Sequence, residues 1–125
     1  MKLVIYNKEN YHKDFIYHYL PELILNTFNG SINLKKIDTI NDEFGIDTLN
    51  IIRFALKSLK ITEQPNSYTI EIDKNKKYKH ENVNSLISLI TYGNRSCKGY
   101  SIVYDIFKFI AEKIDQLYEE WLDGS

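Results

Sequence analysis

Between positions 101 and 122, Ile106, Phe107, Ile110, Ile114, Leu117, Tyr118 and Trp121 recur at steps of three and four residues, with Val103 in line. At about 100° per residue they fall on one broad stripe, so the pattern predicts a long amphipathic helix that must bury one side. Ser101 is expected to cap it, its hydroxyl accepting a bond from an early helical N–H that lacks a partner. Burying each large side chain is favourable by roughly 1.5–3 kcal/mol. The helix is therefore expected to anchor the fold, either in the chain's own core, which is the plainer reading, or against a second copy. Its other side carries Asp105, Lys108, Glu112, Asp115, Gln116 and Glu119.

Two details point beyond packing. Phe109 projects about 40° from Asp105 on the helical wheel, among charges and away from the stripe, which makes it a candidate anchor for a partner. The helix also ends on Glu119, Glu120 and Asp123. Carboxylates at the negative end of the helix dipole are unfavourable by about a few tenths of a kcal/mol per group. A solvated end is the plain reading, and a docking surface for a basic partner is the sharper one.

Upstream, Leu3, Val4, Ile5 and Tyr6 read as a short strand. Tyr11, Phe15, Tyr19, Leu20, Leu23 and Ile24 follow helical spacing up to Asn29-Gly30. Pro21 interrupts that pattern, because an interior proline loses a hydrogen bond and clashes with the preceding turn; two abutting helices or one kinked helix both satisfy it. Positions 31–40 alternate loosely (Ile32, Leu34, then Ile37 and Ile40) and read as a strand, followed by a turn at Asn41, Asp42 and Gly45. Asp47 or Thr48 is expected to cap a helix that runs through Lys60, with Leu49, Ile52, Ala55, Leu56 and Leu59 buried. Phe54 lies outside that stripe and is read as a second core contact, with a partner contact as the alternative. Gln64-Pro65-Asn66 is a turn. Tyr68, Ile70 and Ile72 alternate with Thr69, Glu71 and Asp73, the clearest strand pattern in the chain. Val83, Leu86, Ile87, Leu89 and Ile90 fit a short helix capped by Asn82 or a buried strand of similar length, and Gly93-Asn94 ends either. The expected architecture is α+β: one small domain of three to four helices with a short antiparallel sheet and the long C-terminal amphipathic helix.

Chemistry is excluded more readily than it is found. The 125 residues suit one domain with a real core, and a formal charge of −1 argues against a dedicated nucleic-acid binder. Cys97 is the only cysteine, so no intramolecular disulfide is expected, and no Cys or His stands near it at zinc-ligand spacing. His12 and His18 sit six apart, on different faces of a helix, and His80 is remote from both. No glycine-rich phosphate loop surrounds Gly93 or Gly99. The opening residues turn polar after four apolar positions, too short for a signal peptide, and no apolar run approaches the roughly 18 residues of a membrane span. A cytoplasmically made protein without catalytic residues, metal or cofactor is expected. The one basic cluster is Lys74, Lys76, Lys77, Lys79 and His80, with Tyr78 inside it. Lysines around an aromatic can track a phosphate backbone while a base stacks; a solvated hairpin tip or crossover is the plainer reading. A basic middle, from Arg53 to Lys79, and an acidic tail are also candidates to meet between neighbouring copies, in a heterologous, ring-closing contact.

Asp47-Thr48-Leu49 opening a helix, a strand over 68–73, Leu89-Ile90-Thr91-Tyr92-Gly93-Asn94 and a terminal amphipathic helix together resemble the tail-completion family of long-tailed phages, small neck or head–tail connector proteins. The resemblance covers the last two-thirds of the chain. Where family members carry Gly-Thr and Pro-Phe, this chain has Gly93-Asn94 and Gly99-Tyr100-Ser101-Ile102. It implies a non-enzymatic virion protein, made in the host cytoplasm, that assembles into a ring, commonly a hexamer, between the connector and the tail tube. The alternative, in a different class, is a small phage-encoded inhibitor of a host defence nuclease that blocks a basic channel with its acidic end.

Overall fold

The computed structural model describes residues 1–31, 48–73, 81–92 and 98–124. Three antiparallel strands, β1 (Leu3–Tyr6), β2 (Leu59–Glu63) and β3 (Ser67–Ile72), form a sheet in the order β1-β3-β2. The described α-helices are α1 (Leu20–Ser31), α2 (Thr48–Leu56), α3 (Glu81–Tyr92), α4 (Lys98–Glu112) and α5 (Ile114–Gly124). The last two follow one another across Lys113 and act as one closing arm. The α+β reading therefore holds, with a short antiparallel sheet and a long helical C-terminus.

The strand alternation decides which face of the sheet is buried. Tyr68, Ile70 and Ile72 of β3 are buried, and the register sets Leu3 and Ile5 of β1 opposite Ile70 and Tyr68. Ile61 of β2 joins the same row opposite Ile70. The other face carries Val4, Thr62, Thr69 and the exposed Tyr6, the mixed polar and β-branched surface of an antiparallel sheet wetted on one side. Phe15, Ile16, Leu20, Ile24, Phe28, Ile52, Leu56, Ile90, Val103 and Ile110 complete one apolar cluster with the sheet's inner side chains.

Pro21 proves compatible with one continuous helical run. The five residues Phe15–Tyr19 form a π-helical turn, in which the Leu20 N–H reaches the Phe15 carbonyl. The widened turn gives the proline ring room against the carbonyl four residues before it, so the helical run continues without interruption into α1.

Several boundaries differ from the sequence reading. The helix expected through Lys60 ends at Leu56. Lys57 and Ser58 turn the chain, and Leu59 enters β2. The pairings Leu59↔Ile72 and Glu63↔Tyr68 show what wins: a hairpin across Gln64-Pro65-Asn66, closed by the Gln64 N–H on the Ser67 carbonyl at 2.8 Å. The segment left open between helix and strand is α3, which begins one residue before Asn82. Ser101 lies inside α4, which begins at Lys98. Phe54, read as a core contact, is half exposed. The strand expected over 31–40, the turn after it, the Asp47 cap, Gly93-Asn94 and Cys97 lie outside the described residues, or almost wholly so, since α1 reaches Ser31.

Candidate functional site

The closing arm is built in two parts. In α4 the stripe residues Val103, Ile106, Phe107 and Ile110 are buried, and the helix packs against α1, α3 and β1. At Lys113 the backbone N–H is shared between the carbonyls of Phe109 and Ile110, at 3.1 and 3.2 Å, which tightens the turn. The Leu117 N–H then returns to the Lys113 carbonyl at 2.9 Å, so the helical register survives the break. Beyond it only Leu117 is buried; Ile114, Tyr118 and Trp121 are half-buried.

What holds α5 is an aromatic cluster with the N-terminal segment. Tyr118 meets Tyr11 edge-on at 5.1 Å and Phe15 at 4.9 Å, while Trp121 lies 5.6 Å from Phe15 and stacks on Tyr118 at 5.8 Å. The His12 ring packs against Trp121 at 5.9 Å, and its backbone N–H donates to the Tyr118 hydroxyl at 3.3 Å. The Tyr11 hydroxyl donates to Asp115 Oδ1 at 2.6 Å. Partial burial, the bond to Asp115 and that carboxylate's charge together hold the Tyr11 phenol well above its usual range.

A phenol whose folded value is raised contributes stability below its unfolded value, near 10, and that contribution is lost as pH rises past it. Tyr11→Phe is therefore expected to cost about 0.5–1.5 kcal/mol at neutral pH, toward the low end because water competes at this site. It should also flatten the fall in stability above pH 10. Urea unfolding of both proteins at pH 7 and pH 11 checks this; parallel losses in the two proteins would count against the Tyr11–Asp115 bond.

The outer side of the arm carries the residues singled out from sequence. Phe109 is 48% exposed and Leu122 is 44% exposed. Asp105, Glu112, Gln116, Glu119, Glu120 and Asp123 are all exposed. At helical spacing Asp105, Phe109, Glu112, Gln116, Glu120 and Asp123 fall within about 60° of one line. The Gln116 amide donates to Glu120 at 3.2 Å along it. By this spacing Phe109, Glu119, Glu120 and Asp123 lie on one exposed, mainly acidic side of the arm, with Lys113 among them. Lys74, Lys76, Lys77 and Lys79, with His80, lie outside the described residues.

His12 and His18 are both exposed, and only His12 reaches the aromatic cluster by ring contact. Among the described residues, no three His, Cys, Asp or Glu side chains are placed to hold a metal ion, and no helix is long and apolar enough to cross a membrane. The acidic Glu63 accepts from Lys8 at 3.3 Å and lies 3.7 Å from Lys13, and that bond and these charges hold it below the usual carboxylate range. It fastens the hairpin to the N-terminal segment.

Sequence reasoning missed a groove between β1 and α4, lined by Lys2, Val4, Tyr100, Tyr104, Phe107 and Lys108 among others. Its available signal was the Tyr100–Tyr104 pair at i, i+4, whose rings stack at 5.9 Å. No protein-family model matches the chain, and no curated protein or solved structure matches it.

Proposed function

We propose that this chain is a non-enzymatic assembly subunit that works by fitting against other protein surfaces, and that it forms a ring of the head–tail connector or tail-completion kind. The observation that carries the reading is the acidic, aromatic-bearing outer side of the α4–α5 arm. Its inner side is held by the core and the aromatic cluster, so the arm presents a fixed surface and loses little conformational freedom on docking. A half-exposed phenylalanine with the charged Asp105, Glu112 and Lys113 beside it on the helix suits a contact with an apolar centre and a charged rim. The order of elements adds to it: a helix opened by Thr48, the β3 strand, α3 and a terminal amphipathic arm follow the succession by which the sequence resembles that family. In this role the protein joins copies of itself and contacts a connector protein on one side and a tail-tube protein on the other.

Mass photometry of the purified protein, alone and with connector and tail-tube proteins, tests this. A closed oligomer is expected, with six protomers as the family resemblance implies. A strict monomer that ignores those partners and instead binds a host nuclease one-to-one overturns the reading. The double variant Glu119→Lys, Glu120→Lys is expected to abolish assembly while leaving the fold intact. Exposed substitutions usually change stability by less than about 0.5 kcal/mol each, and lysines here suit the helix dipole better. Unchanged assembly with an unchanged melting curve would remove charge pairing from the argument.

A further inference from the structure

We infer that the groove between β1 and α4 is the receiving half of a contact between two copies of this chain, and that it takes the Phe109 side chain of the neighbouring copy. This rests on the self-assembly reading above and supplies its second surface. The groove has a volume of about 230 Å3, and its lining combines the apolar and aromatic side chains of Val4, Tyr100, Tyr104 and Phe107 with two lysines, Lys2 and Lys108. Among the described residues no carboxylate lines it. Drug-sized ligands occupy roughly 300–1,000 Å3, so this space suits a single large side chain better than a small-molecule substrate.

The outer side of the arm presents the complementary pattern. Phe109 is half exposed; Asp105 and Glu112 flank it on the same line of α4, roughly 10 Å apart at the helical rise, with the exposed Lys113 at the junction to α5 beyond them. An aromatic between two acids therefore faces an apolar slot lined in part by two lysines. Lys2 already has Glu71 at 3.7 Å but remains 60% exposed, so it can turn toward a second carboxylate. That complementarity selects a second copy as the occupant, since both halves of the pattern lie on one chain. Phe109 stands about 140° around α4 from Tyr104. The giving and receiving surfaces are therefore different, and the contact is heterologous: it repeats from copy to copy and closes as a ring or continues as a filament.

Disulfide trapping tests the contact. In a Cys97→Ser background, where introduced thiols are the only ones, Phe109→Cys and Tyr104→Cys proteins are oxidised separately and as a mixture. Covalent dimers in the mixture alone are expected. Dimers of Phe109→Cys by itself would indicate a symmetric contact and overturn the inference. Sedimentation velocity supplies a second readout: Lys108→Glu and Glu112→Lys should each weaken self-association by about tenfold, and the double variant should recover most of it. If the wild-type protein assembles but no mixed dimer forms, the groove is wrong and the assembly reading stands. If the wild-type protein is monomeric and does not cross-link, the groove assignment falls, and the connector and tail-tube experiment alone decides the function.

Discussion

Phe15→Ala is expected to lower the free energy of unfolding by about 3–5 kcal/mol, the usual range for removing a fully buried phenylalanine. Phe15 is completely buried, and its ring meets Tyr11, Tyr19, Tyr118 and Trp121 at 6.0, 5.5, 4.9 and 5.6 Å. It stands where the π-helical turn, the N-terminal segment and α5 converge. The vacancy is therefore walled by rigid rings that collapse poorly, and poor collapse is what places a truncation at the costly end of the range. A domain of this size is typically stable by about 5–15 kcal/mol, so the variant should lose about a fifth of its stability or more. It should also release α5, visible as increased exposure of Trp121 by fluorescence. Tyr6→Ala, at a side chain 68% exposed, is the control and should change stability by less than about 0.5 kcal/mol. Equal effects of the two substitutions would contradict the assignment of the aromatic cluster to the core.

Gly99→Leu should cost about 1–3 kcal/mol, the range for forcing extra volume into a packed interior. Gly99 lies buried in the first turn of α4, and a Cβ there would stand 3.2 Å from Ile90 Cγ1 and 3.3 Å from Ile52 Cδ1. The absence of a side chain is what lets α4 pass close to α2 and α3. Gly99→Ala sets a gain of up to about 1 kcal/mol in helix propensity against the shift of two flexible isoleucine ends, so its net effect should be small. The contrast between the two substitutions, read from urea midpoints, separates packing from propensity. Ile52→Val in the Gly99→Leu background should recover part of the loss, because residues in contact couple by about 0.5–3 kcal/mol. A fully additive pair would mean that the leucine is accommodated elsewhere.

The elements easiest to read were those whose pattern has one physical solution. The alternation Tyr68, Ile70, Ile72 admits only a strand with one buried face, and it is the central strand. The apolar repeat from Val103 to Trp121 admits only a helix, and its outward residues, Phe109, Glu119, Glu120 and Asp123, lie on the exposed side. The misreading at Leu59 arose because that residue satisfies two periods at once. It extends the helical series Ile52, Ala55, Leu56, and it also begins the alternation Leu59, Ile61 that mirrors β3 across the Gln64-Pro65-Asn66 turn. Pairing with β3 decides between them, and pairing is a tertiary fact that local spacing does not carry. The groove was illegible for a related reason: β1 and α4 are far apart in the chain, and their adjacency follows from packing.

The strand order β1-β3-β2 has a bearing on how the molecule comes together. β2 and β3 are neighbours in sequence, so their hairpin forms from local contacts on a scale of about 1–10 μs. Among the described residues β1 pairs with β3, and joining them closes most of the first half of the chain into a loop, an entropic cost that slows the step. Because β3 follows β1 in the chain, Leu3 and Ile5 stay uncovered during synthesis until the strand that pairs with them has been made.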